Sequence, residues 1–144
     1  MMALETAETD DDRLQRVAAA QPPFAAFMGM RLLSATRELV VGEMIVREDH
    51  GNRNGVLHGG AIMALADNLG GTTAFINLPE GAGTTTVESK TNFFRTVAVG
   101  ETARAECTPL HVGRTTIVVQ TRILRPDGKL AALVTQTQLV MQKR

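Results

Sequence analysis

The run from Val56 to Ile76 constrains this chain more than any other stretch. It is long enough for about six turns of helix, and its apolar residues, among them Ile62, Met63, Leu65 and Leu69, fall on every side of the cylinder. A helix apolar all round is a helix buried all round. The chain has 144 residues, enough for one domain with a single core. One such helix in one such domain needs a surface that curls about it, and a sheet is the available surface.

The remaining segments read as strands. Met30 to Ser34 and Glu38 to Val46 precede the helix, the second with Val40, Met44 and Val46 on one face and Leu39, Val41 and Ile45 on the other. "NLPEGAG" closes the helix with a Pro and two Gly. Four strands are then expected in meander: Thr84 to Arg95, Glu101 to Leu110, Thr115 to Leu124 and Leu130 to Met141. Thr84 to Arg95 is β-prone but unusually polar. In the next, Ala103, Ala105 and Cys107 alternate with Thr102, Arg104 and Glu106. "RPDGK" marks a hairpin, because Asp127-Gly128 suits a turn that needs positive φ. The fold class is therefore α+β: an antiparallel sheet of about six strands wrapped around one long central helix. The side of the helix that the sheet leaves uncovered calls for a second copy of the chain.

Ahead of this body, residues up to about Asp10 are small, acidic and without periodicity, which predicts disorder. Asp11 to Ala20 reads as a short helix ended by Pro22-Pro23, and "PFAAFMGM" as an apolar approach to the body. The division expected is a tail with a short helix over 1–21 and a single domain over 22–144.

Charge and cysteine usage narrow the function classes. The formal net charge is zero, 15 basic against 15 acidic residues, so there is no basic excess to neutralise nucleic-acid phosphates. The one cysteine, Cys107, excludes an internal disulfide, and no His/Cys cluster suggests a structural metal. "MMALETAETDDDR" has no apolar core of a secretory signal. The stretch Val56 to Leu78 carries His58, Asp67, Asn68 and Asn77, which argues against a membrane span. A cytoplasmic protein with no nucleic-acid or membrane partner is expected.

Chemistry concentrates in "NRNGVLHGGAIMALADN". Gly59-Gly60 opens the helix, where unpaired N–H groups and the positive end of the dipole can polarise a carbonyl or hold an oxyanion; a tight loop-to-helix turn is the other reading of the pair. His58 can donate a hydrogen bond to a substrate carbonyl or serve as a cap. Asn52 and Asn54 are turn residues by default. Asp67 sits among Met63, Ala64 and Ala66. It is either a buried carboxylate satisfied by Asn68 or Thr72, or a catalytic base or nucleophile in a partly dry cleft. His58 precedes Asp67 by nine residues, which in a helix is about 13 Å of rise and about half a turn. One chain cannot bring both to the same substrate atom. Two antiparallel helices across a two-fold axis can, so Asn52, His58 and Gly59 of one subunit are expected to face Asp67 of the other in an obligate homodimer.

The same stretch resembles the hotdog-fold acyl-CoA thioesterases, in particular the phenylacetate-pathway (PaaI-like) subfamily. The pattern of an Asn, then Gly-x-x-His-Gly-Gly, then an Ala-Leu-Ala-Asp run is matched by Asn52, Gly55, His58, Gly59, Gly60 and Ala64 to Asp67. "ESKTNFFRTVAVGE" and "GRTTIVVQTRIL" are similar to two of the family's strands. The resemblance implies a hotdog fold, dimers that often pair into tetramers, and hydrolysis of an acyl-CoA thioester. It implies Asp67 as general base or nucleophile, the Gly59 N–H on the thioester carbonyl, and His58 and Asn52 as positioning groups. Coenzyme A is then part of the substrate and no separate cofactor is expected. Gly60, Glu88, Arg95 and Arg114 are the candidates for contacts with it, the two arginines towards its phosphates unless they are simply solvated. Where related enzymes carry a Ser or Thr on the following strand, the facing position here is expected at Glu88 or Ser89. Phe75, Met63 and Leu69 are expected to line the acyl pocket. Two alternatives stand beside hydrolysis: a hotdog hydratase or dehydratase, and a non-catalytic acyl-CoA-binding protein.

Overall fold

The computed structural model describes residues 7–142. Two short helices, α1 (Asp10–Ala19) and α2 (Pro23–Met28), lead into strands β1 (Met30–Ala35) and β2 (Val40–Ile45). A single 3-10 turn, Glu48–His50, precedes the long helix α3 (Gly59–Ile76). Strands β3 (Gly83–Phe93), β4 (Thr102–Val112), β5 (Thr116–Leu124) and β6 (Leu130–Met141) follow. They form one antiparallel sheet in the order β1-β2-β4-β5-β6-β3. This is the hotdog architecture expected, with α3 packed along the sheet.

The meander is shorter than expected. β4, β5 and β6 run consecutively, but β3 lies at the far edge, paired only with β6. α3 has 18 residues, about 27 Å, and packs against β2, β3, β4, β5 and β6. The chain that leaves it enters the sheet at the far edge and returns to pair β4 with β2.

The core lies between α3 and the sheet. Ile62, Leu65, Ala66 and Leu69 of α3 meet Val40 and Met44 of β2, Ala103, Ala105 and Cys107 of β4, Ile117, Val119 and Ile123 of β5, and Val134 of β6. The alternation read in β2 and β4 is therefore the real one. The helix is not buried on every side within one chain: Met63 is 40% and Phe75 48% exposed, and Asp67 between them is exposed as well. β3 is exposed along most of its length, including Val87 and Phe93.

Other boundaries shift for local reasons. α3 starts at Gly59 rather than Val56, because Val56 bridges Ala98 and Leu57 bridges Gly51. "PFAAFM" is a helix, with Pro23 in its first turn and Gly29 at φ 72° as its left-handed cap. In the acidic leader, residues 1–6 lie outside the described residues; Thr9 and Asp12 form a reciprocal capping box, so order begins before Asp10. Val17 of α1 joins the common core. Gly128, at φ 80°, makes the hairpin turn in which Asp127 Oδ1 accepts the Lys129 N–H at 3.0 Å. Among the described residues, no helix is long and apolar enough to cross a membrane.

Candidate active site

Backbone pairing brings His58 to the start of α3. Leu57 N–H donates to Val97 O at 2.8 Å, and His58 N–H donates to His50 O at 2.9 Å. His58 is thereby held extended as the N-cap, and its Nδ1 accepts the Gly60 N–H at 2.8 Å. A ring nitrogen that accepts carries no proton, so in the neutral imidazole Nε2 is the remaining donor. Ala61 and Ile62 N–H both donate to His58 O, at 2.9 and 3.1 Å. The Gly59 N–H is left without an acceptor among the described residues, at the positive end of the helix. A Cβ on Gly59 would stand 3.2 Å from Phe93 Cζ, so glycine lets that ring lie against the first turn.

Asn52 Oδ1 accepts the Asn54 N–H at 2.8 Å, the turn role expected by default. Arg95 Nη1 donates to Leu130 O at 2.9 Å. Asn52, Gly59 and Arg95 line one cavity of about 350 Å³, with Ile62, Phe93 and Phe94 as its apolar part. His58 and Gly60 open on a neighbouring recess of about 230 Å³ that also contains His50, and His58 shares a further depression with Asn52.

Asp67 stands elsewhere. Its Oδ1 accepts two side-chain hydrogen bonds, from Gln136 Nε2 at 2.8 Å and Thr86 Oγ1 at 2.9 Å. Thr86 Oγ1 in turn accepts from Gln138 Nε2 at 2.8 Å. Both donors converge on one oxygen, which leaves Oδ2 uncommitted. The expectation of a buried carboxylate satisfied by Asn68 or Thr72 is corrected on both counts. Asp67 is exposed in the single chain; Asn68 Nδ2 donates to Gln21 Oε1 at 2.7 Å, and Thr72 Oγ1 to Asn68 O at 2.7 Å. Asp67 lies at the rim of a cavity of about 350 Å³ walled by Val17, Gln21, Gly71, Phe75 and Thr86. That cavity shares no residue with the one at Gly59 or the one at His58.

A helix terminus with a free amide, and a carboxylate two and a half turns along held by neutral donors, are parts suited to activating water against an electrophilic carbonyl. Comparison with known proteins gives the family. The Thioesterase superfamily profile matches residues 54–132, more than half of the chain. The chain belongs to the thioesterase superfamily. Among its relatives, the proofreading thioesterase EntH of Klebsiella pneumoniae is 33% identical over 97 residues, 67% of this chain and 70% of that one. A point variant of the phenylacetic acid degradation protein PaaI of Thermus thermophilus superposes with a TM-score of 0.76 at 26% identity, over 82% of this chain and 98% of that one. A Streptococcus mutans protein solved with acetyl-CoA bound gives 0.75 at 27% identity, over 82% and 93%. Membership places the chain among the thioester hydrolases.

Within this superfamily member, several expected site residues sit apart. Glu88 is in register with Thr137 and accepts its O–H at 2.9 Å. Directly paired side chains share a face, and Gln136 and Gln138 take the α3 face, so Glu88 points to the other side of the sheet. An irregularity in register between Thr86 and Glu88 causes this; Ser89 pairs with Gln136 and so shares its face, and Thr86 is the β3 residue that bonds Asp67. Arg114 lies at the opposite end of α3, beside Asn77 and Pro79. Of the expected pocket lining, Phe75 walls the Asp67 cavity, whereas Leu69 is 1% exposed and faces the core. Cys107 is fully buried and burial pushes its thiol up, the opposite of an activated nucleophile. Gln136 and Gln138 were not anticipated. Their signal was present: in "LAALVTQTQLVM" they fall in phase with Ala132, Val134 and Val140 on the core face.

Proposed function

We propose that the protein hydrolyses acyl-CoA thioesters at two equivalent sites, each built from both subunits of a homodimer. The observation that carries this reading is the separation just described. The free Gly59 amide and the free Asp67 oxygen open on different cavities of one chain, so each needs a complement. The stripe Met63, Asp67, Phe75 and the outer edge of β3 are both unpartnered, and exposed edges and apolar stripes of this kind are what a second copy covers. Pairing of such dimers gives the tetramer.

In the composite site the thioester carbonyl oxygen accepts from the Gly59 N–H, with the His58 Nε2–H and the Asn52 side chain placing it. Asp67 Oδ2 of the facing subunit takes a proton from water as the water oxygen bonds to the carbonyl carbon. The negative charge that develops on the carbonyl oxygen meets the helix terminus. The C–S bond then breaks, the CoA thiolate recovers the proton held by Asp67, and the free acid leaves. The step needs water and protein groups only, so no cofactor is required. Arg95 and Gly60, near the same helix end, are the groups we assign to the CoA portion; acetyl-CoA bound in the S. mutans relative supports a CoA ester as substrate. Val17, Gly71 and Phe75 give the acyl group an apolar wall. The lone buried Cys107 suits a reducing compartment, and we assign the protein to the cytoplasm.

The test is thiol release from a panel of acetyl-, hexanoyl- and benzoyl-CoA. Asp67→Asn is expected to lower kcat about 10²- to 10⁴-fold while CoA esters still bind. Wild-type rates in that variant would remove Asp67 from the chemistry, and binding without any turnover in the parent protein would favour the non-catalytic alternative. Single turnover in ¹⁸O water separates base from nucleophile: a general base delivers the label to the product acid in the first turnover.

A further inference from the structure

We propose that Gln136 is the positioning residue that fixes the Asp67 carboxylate, and that position 70 is glycine so that Gln136 can reach it; the inference rests on the thioesterase reading above. β6 presents Gln136 and Gln138 towards α3, both essentially inaccessible, at 0% and 1% exposed. The two amides are not equivalent. Gln138 is engaged at both ends, donating to Thr86 Oγ1 at 2.8 Å and accepting from Thr84 Oγ1 at 3.4 Å. Gln136 is engaged at one end only: Nε2 donates to Asp67 Oδ1 at 2.8 Å, and its buried Oε1 has no partner among the described residues.

A buried carbonyl without a donor is destabilising, and an apolar side chain of the same length would avoid it. The amide therefore has a purpose other than holding the core together. Its orientation is dictated, since the reverse rotamer would set Oε1 against the Asp67 carboxylate. Gly70 supplies the second observation. A Cβ there would overlap Gln136 Oε1 and stand 3.2 Å from Val119 Cγ2. The helix backbone thus approaches the sheet one turn after Asp67, and only an absent side chain leaves room for the amide. Gln136 from the sheet and Thr86 from the edge strand clamp the same oxygen, so that Oδ2 is the atom presented to the reacting water.

The experiment uses the full chain and hexanoyl-CoA, with kcat, KM and thermal midpoint measured for each variant. Gln136→Met keeps length and removes both the donor and the unpaired oxygen. It is expected to lower kcat about 10- to 100-fold, with KM within about twofold and a midpoint equal to or above wild type. Gly70→Ala displaces the amide from the other side and should give the same loss of kcat. Gln136→Glu keeps a donor only while its carboxyl is protonated, so its rate should fall with rising pH where the wild type stays level. Wild-type kcat in Gln136→Met overturns the proposal. So does a parallel loss of kcat and midpoint combined with a wild-type pH profile in Gln136→Glu, which is a merely structural role. Asp67→Asn run alongside keeps the two readings apart: if it retains full rate, the assignment of Asp67 has failed, not that of its support.

Discussion

A site shared between subunits predicts a definite arithmetic when two damaged chains are combined. His58 and Asp67 lie nine residues apart, separated by about 13 Å of helix rise, and their cavities have no residue in common. An Asp67→Asn chain keeps an oxygen for Gln136 and Thr86 to donate to. A His58→Ala chain loses a helix cap, which costs about 1 kcal/mol. Both should fold and pair, and each alone should be at least about 10²-fold impaired. Mixed equally and refolded together, about half of the dimers carry one chain of each kind. Every mixed dimer has one site bearing both lesions and one bearing neither. The mixture should therefore recover about a quarter of wild-type specific activity, and mixed dimers isolated through two affinity tags about half. Native mass spectrometry establishes the pairing and thiol release measures the rate. Mixed dimers that remain as inactive as their parents would show that each chain builds its own site, and the composite arrangement would be wrong.

Three further outcomes follow from the same geometry. Leu65 is fully buried at the centre of α3, so Leu65→Ala should lose about 2–5 kcal/mol in urea unfolding; a loss under about 1 kcal/mol would mean the helix does not carry the core. A Cβ on Gly71 meets open space in the cavity beside Asp67, and alanine is the better helix former by about 0.5–1 kcal/mol. Gly71→Ala should thus raise the thermal midpoint while raising KM for benzoyl-CoA more than for acetyl-CoA; equal KM changes would detach that cavity from the acyl group. The Thr9 hydroxyl and N–H hold the Asp12 carboxyl below its ordinary range. A depressed folded value means a contribution present above the ordinary aspartate pKa and lost as pH falls through the folded one. The protection of the α1 amides, exchange rates being referred to the intrinsic rate at each pH, should fall on acidification from that side, and Asp12→Asn should abolish the dependence.

The architecture was legible because two periods do not overlap. An uninterrupted apolar helix and strands such as β4, with Ala103, Ala105 and Cys107 in alternation, leave few ways to enclose the one with the others. What was not legible is the place of β3. Its polar residues look the same whether it neighbours β4 or closes the far edge beside β6, because strand pairing depends on distant neighbours that the strand's own residues do not record. Glu88 was misassigned for a related reason: an irregularity in register after Thr86 reverses which residues face α3, and no local pattern announces it.

The site shows the same boundary between near and distant information. The local contacts of Asn52 and His58 were legible because their partners are a few residues away, as the His58 Nδ1 to Gly60 contact illustrates. The partners of Asp67 are Thr86 and Gln136, 19 and 69 positions distant. Each anomaly was nevertheless visible by itself: a carboxylate in an apolar helix, and two glutamines in the core register of an apolar strand. Only the glutamine is unfavourable in isolation, because it is buried, whereas Asp67 is exposed in the single chain. The Asp67 oxygen gives the buried Gln136 amide an acceptor that the apolar residues around it cannot. Reading two such out-of-pattern residues as partners identifies the contact on which the geometry of Asp67 depends.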